Sequence, residues 1–322
     1  MVTTTTSPPG PLRVVFFGTP DFAVPTLAAL LRSRHLVVGV VTQPDRPRGR
    51  GHKIIDAPVK TTAAAAGVPI LQPQRLKDAA FLESLTTLRA DLGIVAAYGR
   101  ILTNEVLTIP RQGLLNVHAS LLPRYRGAAP VHRAVIAGER ETGVTIMRVV
   151  QALDAGPMLA DAHRPIADDE TSDVVEHDLA RLGAALLVAT LDNLVAGPVE
   201  ERPQDETQAT YAHKLQKEDG LIDWGWPAER LNNLIRGLHP WPHAFTFLGS
   251  RRFIVRRSRW LPESSPEAPG TVVEAASDRL AVATGSGVLE ITEIQSEGKR
   301  PMTPREFLAG HSLSRGERFG SR

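Results

Sequence analysis

The sequence predicts an α/β chain, with a doubly wound, mainly parallel sheet followed by a smaller antiparallel β-barrel or sandwich. Two observations predict the first part: continuous apolar runs, such as LGIVAAY at 92–98, and the helical patterns that alternate with them. Such runs indicate strands that are buried on both faces, as in a parallel sheet covered by helices. The second part is predicted by short β-like runs, separated by turn residues, from 244 onward.

The elements of the first part follow from their residues. Continuous apolar stretches, two of them rich in β-branched residues, predict four buried strands, at 13–17, 36–42, 92–98 and 113–118. The helices between them include the pattern FAVPTLAALL at 22–31 and an Ala-rich stretch at 56–66. The alternating run at 142–150 indicates a strand nearer the edge, and a long helix is predicted from about 171 to 196.

The second part follows a polar stretch at 197–210, whose composition is typical of a linker. Its β-like runs are AFTFL, RFIVRRSRW, TVVEA, LAVAT and GVLEIT. The predicted organisation is therefore a disordered tail at 1–12, a first domain at 13–196, a linker at 197–214 and a second domain at 215–322.

The composition excludes several classes of protein and site. The 322 residues include no cysteine, so the chain has no disulfide, no thiolate nucleophile and no cysteine-ligated metal. The formal net charge is only +2, so local clusters of charge matter more than the total. No apolar run is predicted to span a bilayer, and MVTTTTSPPGP at 1–11 resembles neither a secretory signal nor a mitochondrial presequence.

A candidate site lies in the stretch GLLNVHASLLPRYRGAAP at 113–130, where the fourth strand ends. Asn116 and His118 are two residues apart, so their side chains point to the same side of a strand. Ligands of open α/β sheets bind beyond the carboxyl ends of the strands, where this pair could hold a carbonyl oxygen and move a proton. The alternative is structural, with Asn116 capping the strand and His118 satisfied and half-buried.

Asp154, in the stretch LDAGP at 153–157, is a second candidate. An aspartate before Ala-Gly-Pro commonly forms a turn, and this role alone would explain it. The functional alternative is a carboxylate that orients an imidazole or takes a proton from a nucleophile. The sequence leaves open whether Asp154 reaches His118.

A basic stretch, TQPDRPRGRGHK at 42–53, follows the second strand. Its positive residues are Arg46, Arg48, Arg50 and Lys53, and Asp45 is its one acid. A basic loop with glycines can meet phosphates with side chains and backbone N–H groups. A solvated loop without a ligand is the alternative.

A second basic stretch, 236–262, contains no Asp or Glu. Its arginines and interleaved aromatic residues include Arg251, Arg252, Arg256, Arg257 and Arg259, with Trp241, Phe245, Phe247 and Trp260. On β-strands this pattern would give a basic face with aromatic neighbours, which suits a nucleic acid. Exposed arginines also protect strands from aggregation, which is the alternative explanation.

Three common signatures are absent from the sequence. Gly18 follows the first strand without the glycines of G-x-G-x-x-G, which argues against a bound NAD. No group of His, Asp and Glu has the spacing of metal ligands, so we expect no metal. No G-x-S-x-G precedes a helix, which argues against a serine hydrolase.

Together, these elements resemble the folate-dependent formyltransferases. In the first part, the matching motifs are FFGTPDFAVPTL at 16–27, TQPDRPRGRG at 42–51, VAAYGRIL at 95–102, NVHASLLPRYRGAAP at 116–130, ETGVTIM at 141–147 and LDAGPML at 153–159. In the second part, they are LQKEDGLIDW at 215–224, HPWPHAFT at 239–246 and ATGSGVLEITEIQSEGKRPM at 283–302. The resemblance covers nearly the whole chain after the tail.

The resemblance implies a fold and an activity. The fold would be a Rossmann-like formyltransferase domain followed by an OB-like barrel that supports tRNA. The activity would be transfer of a formyl group from 10-formyltetrahydrofolate to the α-amino group of methionine on initiator methionyl-tRNA, for translation initiation. It would need no metal and no membrane, and the enzyme would be a monomer in the cytoplasm of a bacterium.

The resemblance also implies site residues. The catalytic residues would be Asn116, His118 and Asp154, and the folate loop would contain Ser120, Leu121, Leu122 and Pro123. The tRNA would meet the loop at 43–53 and the barrel, through Arg46, Arg48, Arg50, Lys53, Arg251, Arg252, Arg256 and Arg257. Arg100 stands where an apolar residue is more usual in the family, and the sequence gives no reason for it.

These residues would divide the work of an acyl transfer. Asn116 and a protonated His118 would donate hydrogen bonds to the formyl oxygen, as an oxyanion hole does. Asp154 would accept the proton of the attacking amine, directly or through a water.

Three alternatives remain. A glycinamide ribonucleotide formyltransferase would lack the second domain and the loop at 43–53. An aminosugar-nucleotide formyltransferase has a similar first domain and an extra C-terminal part, and the PDRPRGRG loop and the matching second half argue against it. A non-catalytic RNA-binding protein could keep the same fold, with Asn116, His118 and Asp154 serving only for packing.

Overall fold

The structure, a computed structural model, describes residues 10–48 and 53–320. Arg50 and residues 1–9 of the predicted tail lie outside the described residues, and Arg46, Arg48 and Lys53 are described by their backbone alone. The chain divides into two compact units, each assembled from separate stretches of sequence. The first unit is the chain up to Ala128 with Thr142–Arg164 and Glu176–Ala212, and the remaining segments form the second unit.

Eleven strands and six α-helices precede residue 213 in the described part of the chain. In chain order, the strands and helices are β1 (Arg13–Gly18), α1 (Val24–Arg32), β2 (Leu36–Val41), β3 (Arg46–Arg48), β4 (Lys53–Ile55), α2 (Pro58–Ala65), β5 (Ile70–Leu71), α3 (Ala79–Thr87), β6 (Leu92–Ala96), α4 (Asn104–Leu107), β7 (Leu114–His118), β8 (Arg126–Gly127), α5 (Pro130–Ala137), β9 (Glu141–Arg148), β10 (Met158–Pro165), α6 (Ser172–Ala196) and β11 (Tyr211–Ala212).

Seven of these strands form one sheet in the order β10-β9-β7-β6-β1-β2-β5. The pairs from β5 to β7 are parallel, and β9 runs antiparallel to β7. Val14 to Phe17 of β1 are fully buried, because both faces of the central strands are covered. This arrangement confirms the predicted doubly wound, mainly parallel sheet.

The strand order reverses between β1 and β6, which places a crevice at the carboxyl ends of these neighbouring strands. β1 ends at Gly18, where an added Cβ would lie 2.7 Å from the Phe16 ring and 3.0 Å from the Ala96 carbonyl oxygen. The absence of a side chain therefore allows β1 and β6 to approach closely at the edge where a ligand would bind.

The long helix α6 covers one face of this sheet. Gly183 lies against Val117 of β7, where an added Cβ would come within 2.7 Å of the valine side chain. Among the described residues, α6 is the one helix with the length and apolar composition to cross a membrane. Leu179, Leu187 and Leu191 of this helix are fully buried, as in the core helix of a globular protein.

The second unit contains an antiparallel sheet. Its further elements are α7 (Ala228–Gly237), β12 (Ala244–Leu248), β13 (Arg251–Leu261), β14 (Val272–Ala276), β15 (Arg279–Ala283), β16 (Val288–Ser296) and α8 (Pro304–Gly310). The five strands pair in the order β12-β13-β16-β15-β14, and every pair is antiparallel. This topology confirms the predicted second β domain and is consistent with an OB-like barrel.

A short segment at 316–320 joins the two edges of this sheet. Gly320 exchanges two backbone hydrogen bonds with Phe247 of β12, at 2.9 and 3.0 Å. The same segment bonds to the other edge, where the Val272 N–H donates to the Glu317 carbonyl oxygen at 2.8 Å. Closure of this kind removes the exposed strand edges of an open sheet.

Phe319 in this closing segment also fills the centre of the barrel. Its ring is 1% exposed and stacks on Trp224, with the ring centroids 5.9 Å apart. Phe253 meets Phe319 edge-on at 6.3 Å and Phe307 at 5.5 Å. The barrel is therefore closed by the backbone hydrogen bonds of the 316–320 segment and by an aromatic core that contains Phe319 of the same segment.

The first prediction concerns this core. We expect Phe319→Ala to lower the free energy of unfolding by about 3–5 kcal/mol, because it leaves a cavity among buried rings. Urea titration followed by circular dichroism measures the change. Trp260→Ala is the control, since Trp260 lies on the same barrel with 38% of its surface exposed and should cost less. Equal unfolding midpoints for Phe319→Ala and the wild type would contradict the role of this ring.

Two histidines lie together in the stretch HPWPHAF, which contains cis peptide bonds before Pro240 and Pro242. Burial, the neighbouring Arg256 guanidinium and His239 lower the pKa of His243 to about 4. Arg256 Nη1 is 3.2 Å from His243 Nε2. His239 is 3.6 Å from Asp173, yet burial keeps the pKa of His239 below its ordinary value. Both rings therefore favour the neutral form in the folded state.

The second prediction is a pH dependence of stability. Because the pKa of His243 is lower in the folded chain, the unfolded chain binds the proton first as the pH falls from about 6.5. Stability should therefore decrease from about pH 6.5 to pH 4, with a ceiling of about 1.4 kcal/mol per pH unit for one proton before solvent screening.

We expect His243→Asn to make the free energy of unfolding depend less steeply on pH, as measured by urea titrations at pH 7 and pH 5. Asparagine tolerates the positive φ of 67° at this position. The exposed His213, replaced by Asn, is the control and should leave the dependence as it is in the wild type. If His243→Asn and the wild type lose equal stability between the two pH values, the explanation is wrong.

Candidate active site

The structure places Asn116 and His118 on β7, in the interior of the sheet. Asn116 is paired with Val95 on one side and Met147 on the other, and His118 is paired with Thr145. The pleat directs the two side chains to the same side of the sheet. His118 is 5% exposed and Asn116 is half-buried. The side-chain amide of Asn116 has no hydrogen-bond partner among the described residues, so it is available to a ligand.

Both ring nitrogens of His118 face hydrogen-bond acceptors. Nε2 lies 3.0 Å from the carbonyl oxygen of Tyr125, and since a carbonyl only accepts, Nε2 carries the hydrogen of this bond. Nδ1 lies 3.8 Å from Oδ2 of Asp154, which is within reach of an ion pair but longer than a hydrogen bond. The contact to Tyr125 thus fixes the ring, and Nδ1 is the nitrogen left to face a substrate.

Asp154 lies in the turn between β9 and β10, and this turn brings it beside His118. Its backbone has a φ of 48°, in the left-handed region that a non-glycine residue seldom adopts. Its Oδ2 accepts a hydrogen bond from the backbone N–H of Gly127 at 2.8 Å. Gly156 allows the turn to fold closely, because an added Cβ would lie 1.9 Å from the Arg148 carbonyl oxygen. The LDAG sequence is therefore both a turn former and the support of a carboxylate.

The loop after β7 is held by its own polar groups. Ser120, 1% exposed, donates from Oγ to the Arg124 carbonyl oxygen at 2.6 Å. Thr145 Oγ1 donates to the Ser120 carbonyl oxygen and accepts the N–H of Leu122. The peptide bond between Leu122 and Pro123 is cis. The side chains of Ser120 and Leu122 are buried, whereas Leu121 and Pro123 are half-buried and more accessible to a ligand.

The polar segment before β11 is part of this site. Gln204 Nε2 donates to the carbonyl oxygens of Asp154 and Gly156, both at 2.8 Å. Arg126, 2% exposed, bonds to Gln204 and to the Glu206 carboxylate. Sequence reasoning missed Gln204 and Glu206, because their segment has the composition of a linker and their partners lie 48–80 residues away. Arg126 lies in the candidate stretch 113–130, but its burial and its partners are seen only in the folded chain.

The basic stretch at 42–53 contains a short antiparallel pairing of β3 with β4, in which Arg48 is opposite Lys53. The acid of the stretch, Asp45, lies 2.5 Å from Nζ of Lys60 on α2, and the hydrogen bond from Lys60 lowers the pKa of Asp45. Arg100 donates from Nη1 to the carbonyl oxygens of Pro73 and Gln74, both at 3.0 Å, so it fastens a neighbouring loop.

Four of the five arginines of β13 form ion pairs with carboxylates of the neighbouring strand β16 or of Glu297, which follows it. The ion pairs are Arg252 with Glu297 at 3.1 Å, Arg256 and Arg257 with Glu293 at 3.7 Å, and Arg259 with Glu290 at 2.6 Å. Arg251 forms no ion pair with any described residue. The stretch 236–262 lacks acids along the sequence, but in the barrel it does not form a purely basic face.

No metal site is seen where the structure gives side chains: it contains no group of three or more His, Asp or Glu arranged to hold an ion. The functional groups of the site are the amide of Asn116 and the imidazole of His118 on β7, and the carboxylate of Asp154 beside them.

Two family models together match most of the chain. The family model "Formyl transferase" matches residues 12–191, and "Formyl transferase, C-terminal domain" matches residues 214–312. Methionyl-tRNA formyltransferase of Moorella thermoacetica is 47% identical over 309 residues, which are 96% of this chain and 99% of that protein.

Two solved structures share the fold. The N-formyltransferase of Helicobacter canadensis, in complex with folinic acid and dTDP-3-aminofucose, has a TM-score of 0.67 at 16% identity, covering 88% of this chain and 99% of that one. HypX of Aquifex aeolicus, in complex with tetrahydrofolic acid, has a TM-score of 0.63 at 16% identity. The match covers 97% of this chain and spans about half of HypX, 51% of its length. From its two family models and its relative of nearly equal length, the chain belongs to the formyl transferase family.

Proposed function

We propose that the chain transfers a formyl group from 10-formyltetrahydrofolate to the α-amino group of methionine on initiator methionyl-tRNA. The observation that carries the proposal is the grouping of Asn116, His118 and Asp154 at the end of β7. The near full-length similarity to methionyl-tRNA formyltransferase of Moorella thermoacetica supports the choice of acceptor. Two structures of the same fold contain a folate, which supports the choice of donor.

The reaction exchanges one carbon–nitrogen bond for another. The neutral amine of methionine attacks the formyl carbon, and negative charge develops on the formyl oxygen. The unpaired amide of Asn116 donates to this oxygen, together with Nδ1–H of His118, because Nε2 is already bound to Tyr125. The bond from the formyl carbon to the folate nitrogen then breaks, and the product is N-formylmethionyl-tRNA.

Asp154 completes the transfer of the proton. The attacking nitrogen must lose a proton, and the folate nitrogen must gain one as it leaves. The Gly127 N–H holds Oδ2 of Asp154, which leaves Oδ1 free to accept the proton, directly or through a water. His118 Nδ1 and Asp154 Oδ2 are 3.8 Å apart, so a proton passes between them through a water or after the two side chains approach each other.

The remaining predicted residues take binding roles in this proposal. Residues 13–196 are the catalytic domain and residues 215–322 the tRNA-binding domain, joined by 197–214. The folate meets the loop that contains Ser120, Leu121, Leu122 and Pro123, at the accessible side chains and the backbone. The tRNA meets the positive residues of the 43–53 stretch and of β13, namely Arg46, Arg48, Arg50, Lys53, Arg251, Arg252, Arg256 and Arg257. The enzyme acts as a monomer in the bacterial cytoplasm.

The test of this function is a formyl-transfer assay with purified protein, 10-formyltetrahydrofolate and initiator methionyl-tRNA at fixed salt, since tRNA affinity depends on salt. We expect Asn116→Ala and His118→Ala each to lower kcat about 100- to 1,000-fold, because each removes one donor to the formyl oxygen. The exposed Asn193, replaced by Ala, is the control and should keep the wild-type rate. If the wild type formylates a dTDP-aminosugar and not the tRNA, the acceptor is wrong.

A separate prediction concerns the carboxylate. We expect Asp154→Asn to lower kcat about 100- to 10,000-fold, because the amide can still accept the Gly127 N–H but cannot take a proton. Single-turnover measurements with saturating tRNA separate this chemical step from binding. Near-normal turnover of Asp154→Asn would remove Asp154 as the proton acceptor.

A further inference from the structure

We propose that Gln204 is a positioning residue, which holds Asp154 beside His118 and is itself supported by the buried Arg126, whose guanidinium pairs with the exposed Glu206. The inference rests on the proposed formyl transfer, in which Asp154 handles a proton. It assigns a role to a segment whose composition is that of a linker.

Both the nitrogen and the oxygen of the Gln204 side-chain amide form hydrogen bonds. Nε2 has two hydrogens, and it donates to two carbonyl oxygens of the catalytic turn, those of Asp154 and Gly156, each at 2.8 Å. Oε1 accepts two hydrogen bonds from Arg126, from Nε at 3.0 Å and from Nη2 at 2.8 Å. An amide with all four bonds made has one orientation only, because flipping it would oppose donors to donors and acceptors to acceptors.

Arg126 is the residue that supports Gln204. The rest of its guanidinium forms a two-pronged contact with Glu206, from Nη1 at 2.9 Å and from Nη2 at 2.8 Å. Glu206 raises the pKa of Arg126, and the hydrogen bond from Arg126 lowers the pKa of Glu206. A side chain that is 2% exposed and paired in this way is a rigid support, since planar forked contacts allow little movement.

Asp154 is therefore held at two points, and both depend on Arg126. Gln204 holds its backbone carbonyl, and the N–H of Gly127, the residue after Arg126, holds its carboxylate at 2.8 Å. The left-handed φ of 48° at Asp154 is a conformation that persists only when surrounding contacts enforce it. Gln204 supplies two of those contacts, so without it the turn relaxes and the carboxylate moves away from Nδ1 of His118.

The test is a double-mutant cycle on formyl transfer to initiator methionyl-tRNA. We expect Gln204→Ala to lower kcat on the order of 10- to 100-fold, as expected for a catalytic group displaced by about 1 Å, with KM for the tRNA and the folate unchanged. In the Asp154→Asn background, Gln204→Ala should cause no further loss, because a residue that acts through Asp154 has nothing left to position. Gln208→Ala is the matched control, since this glutamine is exposed and bonds only to Asp205 in its own turn.

Gln204→Glu provides an independent variant in case the alanine destabilises the chain. It keeps the acceptors for Arg126 but removes both donors to the catalytic turn, so it should lower kcat as much as Gln204→Ala does. Wild-type kcat in Gln204→Glu, or an equal fold-loss from Gln204→Ala in the presence and absence of the Asp154 carboxylate, would overturn the inference. Failure of the proposed function gives a different result, namely a wild-type enzyme without formyl transfer to the tRNA.

Discussion

The hydrogen bond from the backbone of Gly127 to the carboxylate of Asp154 is the contact on which the site depends. It joins the loop after β7 to the turn after β9, and so places an acid beside an imidazole that comes from a different strand. Gly127 is needed there, since its φ is 119° and an added Cβ would lie 2.8 Å from the Ala212 carbonyl oxygen. Replacing it would disturb both the pairing of β8 with β11 and the position of the carboxylate.

Much of the first unit could be predicted from apolar runs. The predicted strands at 13–17, 36–42 and 92–98 correspond to β1, β2 and β6, and the helix predicted at about 171–196 is α6. The three strands are buried on most sides, so nearly every residue in them is apolar, and α6 contains a long apolar window, so the pattern is strong. β10, MLADAHRP, was not predicted, because an edge strand with several polar side chains lacks that pattern. The closing segment at 316–320 was also missed, since it pairs through backbone groups that every residue carries.

Some features of the site could likewise be predicted from the sequence, and others could not. The pairing of Asn116 with His118 on one side of β7 follows from the two-residue repeat of a strand, which is a local property of the sequence. The approach of Asp154 to His118 is not local, and only a resemblance to known formyltransferases suggested it. Gln204 and Arg126 meet across 78 residues, and no periodicity records such a contact. The local pattern of a strand can therefore predict catalytic side chains. The residues that hold those side chains in place can be identified only from the folded chain.

The ion pairs between β13 and β16 have a consequence for any anion that approaches the barrel. Arg252, Arg257 and Arg259 are already paired with carboxylates, so a phosphate that approaches them also meets the negative charge of the glutamates. If it displaces a glutamate side chain, the binding event is an exchange of one anion for another. Part of the Coulomb gain is then cancelled by the loss of the existing pair. Such a face binds an anion with several charges, placed to meet several arginines at once, more strongly than an anion with a single charge.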